Sequence, residues 1–252
     1  MTTRWVLCAV LAVSSAGCAT TPAEPSTAGA WQPLRERSER KVHMGHTFWD
    51  AVDARDALIE GDLEAARVAA RSLRDRAYGD TVPGDWKTFI GDMRKHANDL
   101  ALAPDLETAA IALGMISLSC GSCHWFADHG PVQLPDVQVV ELAPGDEQLR
   151  DRMLRHVIAS EQMWEGLIIP SDHVWHQGTL AFTRAPFAPP VDQGVVVDPE
   201  AHAPIEELRS LASKARVATS HKKRAELYGE LVARCAACHA GQREGRASSA
   251  LD

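Results

Sequence analysis

Apolar residues recur along this chain at helical intervals and almost never at alternating ones. Trp86, Ile90, Met93, Ala97, Leu100 and Ala101 make a stripe of that kind, which predicts a helix over 85–103. The same spacing predicts helices over 42–60 and 63–77. A fourth follows Pro104-Asp105 and carries Leu106, Ala109, Ala110, Leu113 and Ile116 towards Cys120. Gly61 is placed to end the first helix and Asp62 to cap the second, the roles these residue types favour at helix ends. The second half predicts four more helices, over 147–169, 172–182, 204–218 and 221–240. Only 134–142 reads as a short extended segment, so the chain is predicted to be all-α.

The two halves read as copies. Cys120-Gly-Ser-Cys123-His124 recurs as Cys235-Ala-Ala-Cys238-His239, 115 positions later, a period longer than common solenoid repeats, so each copy is expected to be a small domain. A second alignment uses an offset of 110: His46 falls on His156, Asp62 on Asp172, and Leu58-Ile59 on Ile168-Ile169. A breaker follows in each copy, Gly61 in one and Pro170 in the other. By that alignment about five extra residues enter the second copy before its CxxCH, with the Pro-rich stretch 184–200 as their place.

CxxCH has a mechanical reading. Two thiols one helical turn apart add to the two vinyl groups of one haem, and the adjacent histidine becomes the proximal iron ligand. Cys120, Cys123, Cys235 and Cys238 are thus the expected attachment sites of two haem c groups, with His124 and His239 on iron. A thioredoxin-like CxxC needs a βαβ setting. Four-cysteine zinc or exported disulfides leave the histidine after each second cysteine unexplained.

The N-terminus reads as an export signal. Arg4 precedes a short apolar run from Trp5 to Val13, and Ser15-Ala16-Gly17-Cys18 resembles a bacterial lipobox. Residues 1–17 are then a signal peptide, with Cys18 lipidated, and 18–40 a flexible tether. Ala19 in place of aspartate resembles lipoproteins sorted to the outer membrane. No other segment reads as long and apolar enough to span a bilayer. Cys8 is lost with the signal, which leaves no cysteine for a structural disulfide. The net charge of −8, without a basic run, argues against nucleic acid.

Motif placement, helix count and repeat together resemble the class II cytochromes c, the cytochrome c-prime type. The resemblance covers about 40–126 and 148–241. It implies two tandem four-helix bundles, 41–127 and 147–241, each with CxxCH near the end of its fourth helix. A linker (128–146) joins them and a tail (242–252) follows. The tandem arrangement and the long insertion in the second half depart from the family, most of whose members carry one haem. In the family, the residue facing the other side of the haem lies near the start of the first helix. That region offers His43, Met44 and His46 in one copy and Met153 and His156 in the other. At offset 110, only His46 and His156 place one ligand type at one position in both copies, so they are the expected distal ligands, with Met44 and Met153 as competitors. Trp49, Trp86, Trp164 and Trp175 are expected in core or haem pocket, and Met115 and Met163 as core filler.

The expected function is electron transfer with redox partner proteins by a lipid-anchored, periplasm-facing carrier rather than an enzyme. The alternatives are a nitric oxide or carbon monoxide binding module with five-coordinate iron, or a dihaem peroxidase. The peroxidase needs acid–base residues beside an open iron, and no such constellation is evident.

Overall fold

The computed structural model describes residues 28–77, 82–127, 149–184 and 199–249, with side chains for 41–77, 82–127, 153–183 and 206–241. Every regular element among them is helical. The α-helices are α1 (Ala28–Ile59), α2 (Leu63–Asp75), α3 (Lys87–Ala101), α4 (Leu106–Ala127), α5 (Leu149–Ile168), α6 (Asp172–Arg184), α7 (Pro199–Val217) and α8 (His221–Ser249). A 3₁₀ turn at Gly84–Trp86 leads into α3. The expected helices are all present. However, α1 begins at Ala28, so 28–40 is helical where a tether was expected. Residues 1–27 with Cys18, the segment 134–142 and most of 184–200 lie outside the described residues.

The helix starts reveal how the copies correspond. The Asp62 carboxylate accepts from the Ala65 N–H at 3.0 Å, and the Ser171 hydroxyl accepts from the Val174 N–H at 3.3 Å. The Asp62 N–H donates to the Ala57 carbonyl, and the Ser171 N–H to that of Gly166. Gly61 and Pro170 are the only positive-φ residues among those described. All these pairs differ by 109 positions, not 110. Leu58 therefore matches Leu167, Ile59 matches Ile168, and Met44 matches Met153. The repeated histidine is a coincidence of the shifted alignment: His46 corresponds to Arg155, and His156 to Thr47.

The last helices keep the offset of 115. Asp105 caps α4 through the Thr108 N–H at 2.7 Å, and Ser220 caps α8 through the Lys223 N–H at 3.2 Å. Asp62 to Cys120 spans 58 positions and Ser171 to Cys235 spans 64, so six extra residues, not five, enter the second copy.

Neighbouring helices pack in chain order, α1 on α2, α2 on α3 and α3 on α4, with α1 also meeting α4. The helices from α5 to α8 repeat this pattern. The most extensive contact joins the two sets, α4 against α8, and small residues make it possible. A Cβ on Gly114 would lie 2.3 Å from the Ala225 carbonyl oxygen, and one on Gly229 would lie 2.8 Å from that of Ala110. The partners run in opposite directions along the two helices, so α4 and α8 are antiparallel and the CxxCH motifs sit at opposite ends of the crossing.

One apolar cluster runs through both sets, from Ala51, Leu58 and Leu113 to Met163, Trp164, Trp175, Tyr228 and Leu231. The two sets of helices thus share one core. Contrary to the sequence reading, α4 is long and apolar enough to cross a membrane by length and composition; half of its apolar window is buried within the fold.

Candidate haem sites

The first motif forms one wall of an apolar cavity of about 410 Å³. Cys120, Cys123 and His124 from α4 face Met44, Thr47, Phe48 and Ala51 from α1. Trp86, Phe89, Ile90 and Met93 close another side. Glu165, Ile168 and Ile169 come from the second copy. Volume and apolar lining suit a sizeable hydrophobic group, in the range usual for cofactor sites.

Burial pushes the thiols of Cys120 and Cys235 up to about 12. Among the described residues no group of three or more His, Cys, Asp or Glu could hold a metal ion. A haem iron, carried by its porphyrin, needs only two protein ligands.

Each motif histidine is oriented by backbone. The His124 Nδ1 lies 2.7 Å from the Ile168 carbonyl oxygen, and the His239 Nδ1 lies 2.5 Å from that of Ile59. A carbonyl only accepts, so Nδ1 carries the proton and Nε2 is left with its lone pair. That is the tautomer an iron ligand needs, fixed by the kind of outer-shell partner metal-bound histidines use. Burial lowers the His124 pKa, while the carbonyl bond opposes the shift; the neutral ring is favoured.

The distal expectation for the first copy does not fit this geometry. His46 is exposed and does not line the cavity, whereas Met44, two positions earlier, does. A two-residue step on a helix turns a side chain by roughly 200°, to another face. His43 is half-buried, its pKa lowered by burial and then by Arg76, His46 and Arg94, and it is not in the lining either. In the second copy Met153 corresponds to Met44. His156 corresponds to the lining residue Thr47 and stacks on Phe182, with ring centroids 5.4 Å apart and planes 10° apart.

Of the tryptophans, Trp164 and Trp175 are core, Trp86 lines the cavity, and Trp49 is 60% exposed rather than buried. Met163 is core as expected, and Met115 is half-buried.

The sequence reading missed Glu165 and the two isoleucine carbonyls. No side-chain pattern marks a backbone acceptor. The Gly61/Pro170 spacing of 109 was nevertheless visible, and it pairs the two methionines.

Comparisons with protein-family models, curated proteins and solved structures found no match.

Proposed function

We propose that this chain is a dihaem c-type cytochrome, built as two tandem four-helix bundles, that carries electrons between redox partner proteins. The observation that supports it most is the first motif at the wall of a large apolar cavity, its histidine held in the iron-binding tautomer. The lipobox reading adds export and an anchor at Cys18, facing the periplasm, in a bacterial outer membrane.

Bound haem supplies reversible one-electron chemistry. The chain's residues hold and tune it. Cys120 and Cys123, and Cys235 and Cys238, fix one haem each as thioethers. His124 and His239 ligate through Nε2. The apolar lining keeps water from the first haem, and axial ligand identity sets its potential.

For the first haem we replace His46 by Met44 as the distal ligand. The corrected register offers Met153 for the second, with His156 one turn further on. A methionine opposite histidine raises the potential relative to two histidines.

The test is haem stoichiometry and spin state of the exported protein. Two covalent haems per chain are expected, and their absence overturns the reading. Met44→Ala should turn one haem high-spin while His46→Ala leaves the spectra unchanged; the reverse result restores His46. A high-spin iron in the unaltered protein that takes up carbon monoxide would favour the gas-binding alternative.

A further inference from the structure

We infer that each proximal histidine is positioned by the opposite half of the chain, so that Gly61, in the first half, is a positioning residue for the second haem, and the turn at Pro170 for the first. This rests on the haem reading above.

The chemistry begins at the ends of α1 and α5. A helix leaves its last carbonyls without intrahelical partners. After α1, the N–H groups of Glu60, Gly61 and Asp62 go to the carbonyls of Asp56, Leu58 and Ala57. The Ile59 carbonyl receives none of these and instead accepts from the His239 Nδ1–H. After α5, Ile169 and Ser171 bond back to Glu165 and Gly166, and the Ile168 carbonyl accepts from His124. The two bonds are equivalent under the repeat, and both cross from one half to the other.

Close approach keeps them in place. Gly61 has φ +74°, and a Cβ there would lie 2.7 Å from the Ala240 nitrogen and 3.0 Å from the Ala236 carbonyl oxygen. Only glycine lets the α1 turn rest this closely on the α8 backbone beside His239. On the other side, a Cβ on Gly121 would lie 2.2 Å from the Leu167 carbonyl oxygen.

Each first helix therefore serves both sites. Met44, in the first cavity, stands 15 residues before Ile59, about 22 Å at the α-helical rise. Met153 stands 15 residues before Ile168. A carbonyl at the negative end of a helix makes the imidazole a stronger electron donor, which favours the oxidised iron and lowers the potential.

The test uses the full-length protein with both haems. Gly61→Ala should raise the potential of the haem at Cys235–His239 and speed exchange of the His239 Nδ1 proton in NMR, leaving the other haem unchanged. Full-length protein carrying Cys120→Ser and Cys123→Ser retains one haem and assigns the signals. Pro170→Gly should shift only the haem at Cys120–His124. A shift confined to the haem of the substituted half, or no shift from either variant, overturns the inference. If Gly61→Ala misfolds, the Pro170→Gly result decides. Wild-type protein without covalent haem sinks the underlying cytochrome reading instead, before any variant is compared.

Discussion

Adding one methyl group at Gly114 tests the crossing on which the arrangement depends. The new Cβ would lie 2.3 Å from the Ala225 oxygen, 3.2 Å from its carbonyl carbon and 3.3 Å from the Gly229 nitrogen. Ordinary contact begins near 3.4 Å, so α8 must withdraw by about 1 Å. Every obstructing atom is helix backbone, so no side chain can swing aside. Overpacking of this kind costs about 1–3 kcal/mol, and an unyielding backbone points to the upper end. Against it stands a gain of about 1 kcal/mol from replacing glycine by alanine within a helix. The net expectation for Gly114→Ala is a loss of about 2 kcal/mol, or roughly 4–8 °C in Tm for a chain of this size. Gly91 in α3 is the control: it is exposed and nothing lies within 4 Å of its Cβ position. Gly91→Ala should stabilise by about 0.5–1 kcal/mol. Guanidinium melts of the haem-loaded protein, followed by far-UV circular dichroism, measure both. Equal stabilisation by the two substitutions refutes the close crossing.

The remaining expectations concern the core and the first site. The Trp175 indole N–H donates to the Ala215 carbonyl at 3.0 Å in a fully buried position. Trp175→Phe should cost about 0.5–1.5 kcal/mol in the same melts, because the Ala215 carbonyl keeps the Ala218 N–H at 3.2 Å and loses only its second donor; a neutral result argues against that bond. Glu165 lines the first cavity with its pKa raised, first by burial and then by Glu161, against Arg55. Its carboxylate forms at a higher pH than usual, and in the haem-bound protein we propose it would favour oxidised iron. The first haem's potential should fall as pH rises through that raised pKa, and in Glu165→Gln this dependence should vanish. Folding stability has the same sign: with the folded pKa above the unfolded one, the contribution of the neutral acid is lost as pH rises through the folded value.

Local physics made most of the fold legible in advance. Helix starts and stops follow Asp62, Asp105 and Gly61, whose effects act within one turn, and the CxxCH motifs are local by nature. Register was harder. An offset of 110 pairs two histidines and two Leu/Ile doublets, while 109 pairs Gly61 with Pro170, Leu58 with Leu167, and Met44 with Met153. Over 41–62 residue identity does not separate the two alignments, and backbone bonding selects the second. A helix turns about 100° per residue, so an error of one position was enough to put the wrong side chain towards the cavity. The start of α1 was missed because 28–40 lacks a strong apolar stripe: Pro33, Arg35, Arg37, Ser38 and Glu39 interrupt it.

The shared core could be read only with both copies in view. Ala110 and Gly114 are four residues apart on α4, as are Ala225 and Gly229 on α8, and both pairs are 115 positions apart. Taken singly, each is a small-residue pair on an apolar helix, and many helices have one. Taken together, they form a self-complementary surface, in which each pair receives the backbone of the other, as at a two-fold interface. That relation also accounts for the exchanged acceptors. An antiparallel α4/α8 crossing puts each CxxCH at the end of its helix lying farthest along the other half. There it meets the end of the other half's first helix, where an unpaired carbonyl is available by the nature of helix ends. The crossing through Gly114 and Gly229 and the bonds to Ile59 and Ile168 are thus parts of one symmetric arrangement. A change that opens the crossing should loosen both histidine bonds together, whereas a change at Gly61 or Pro170 should loosen one.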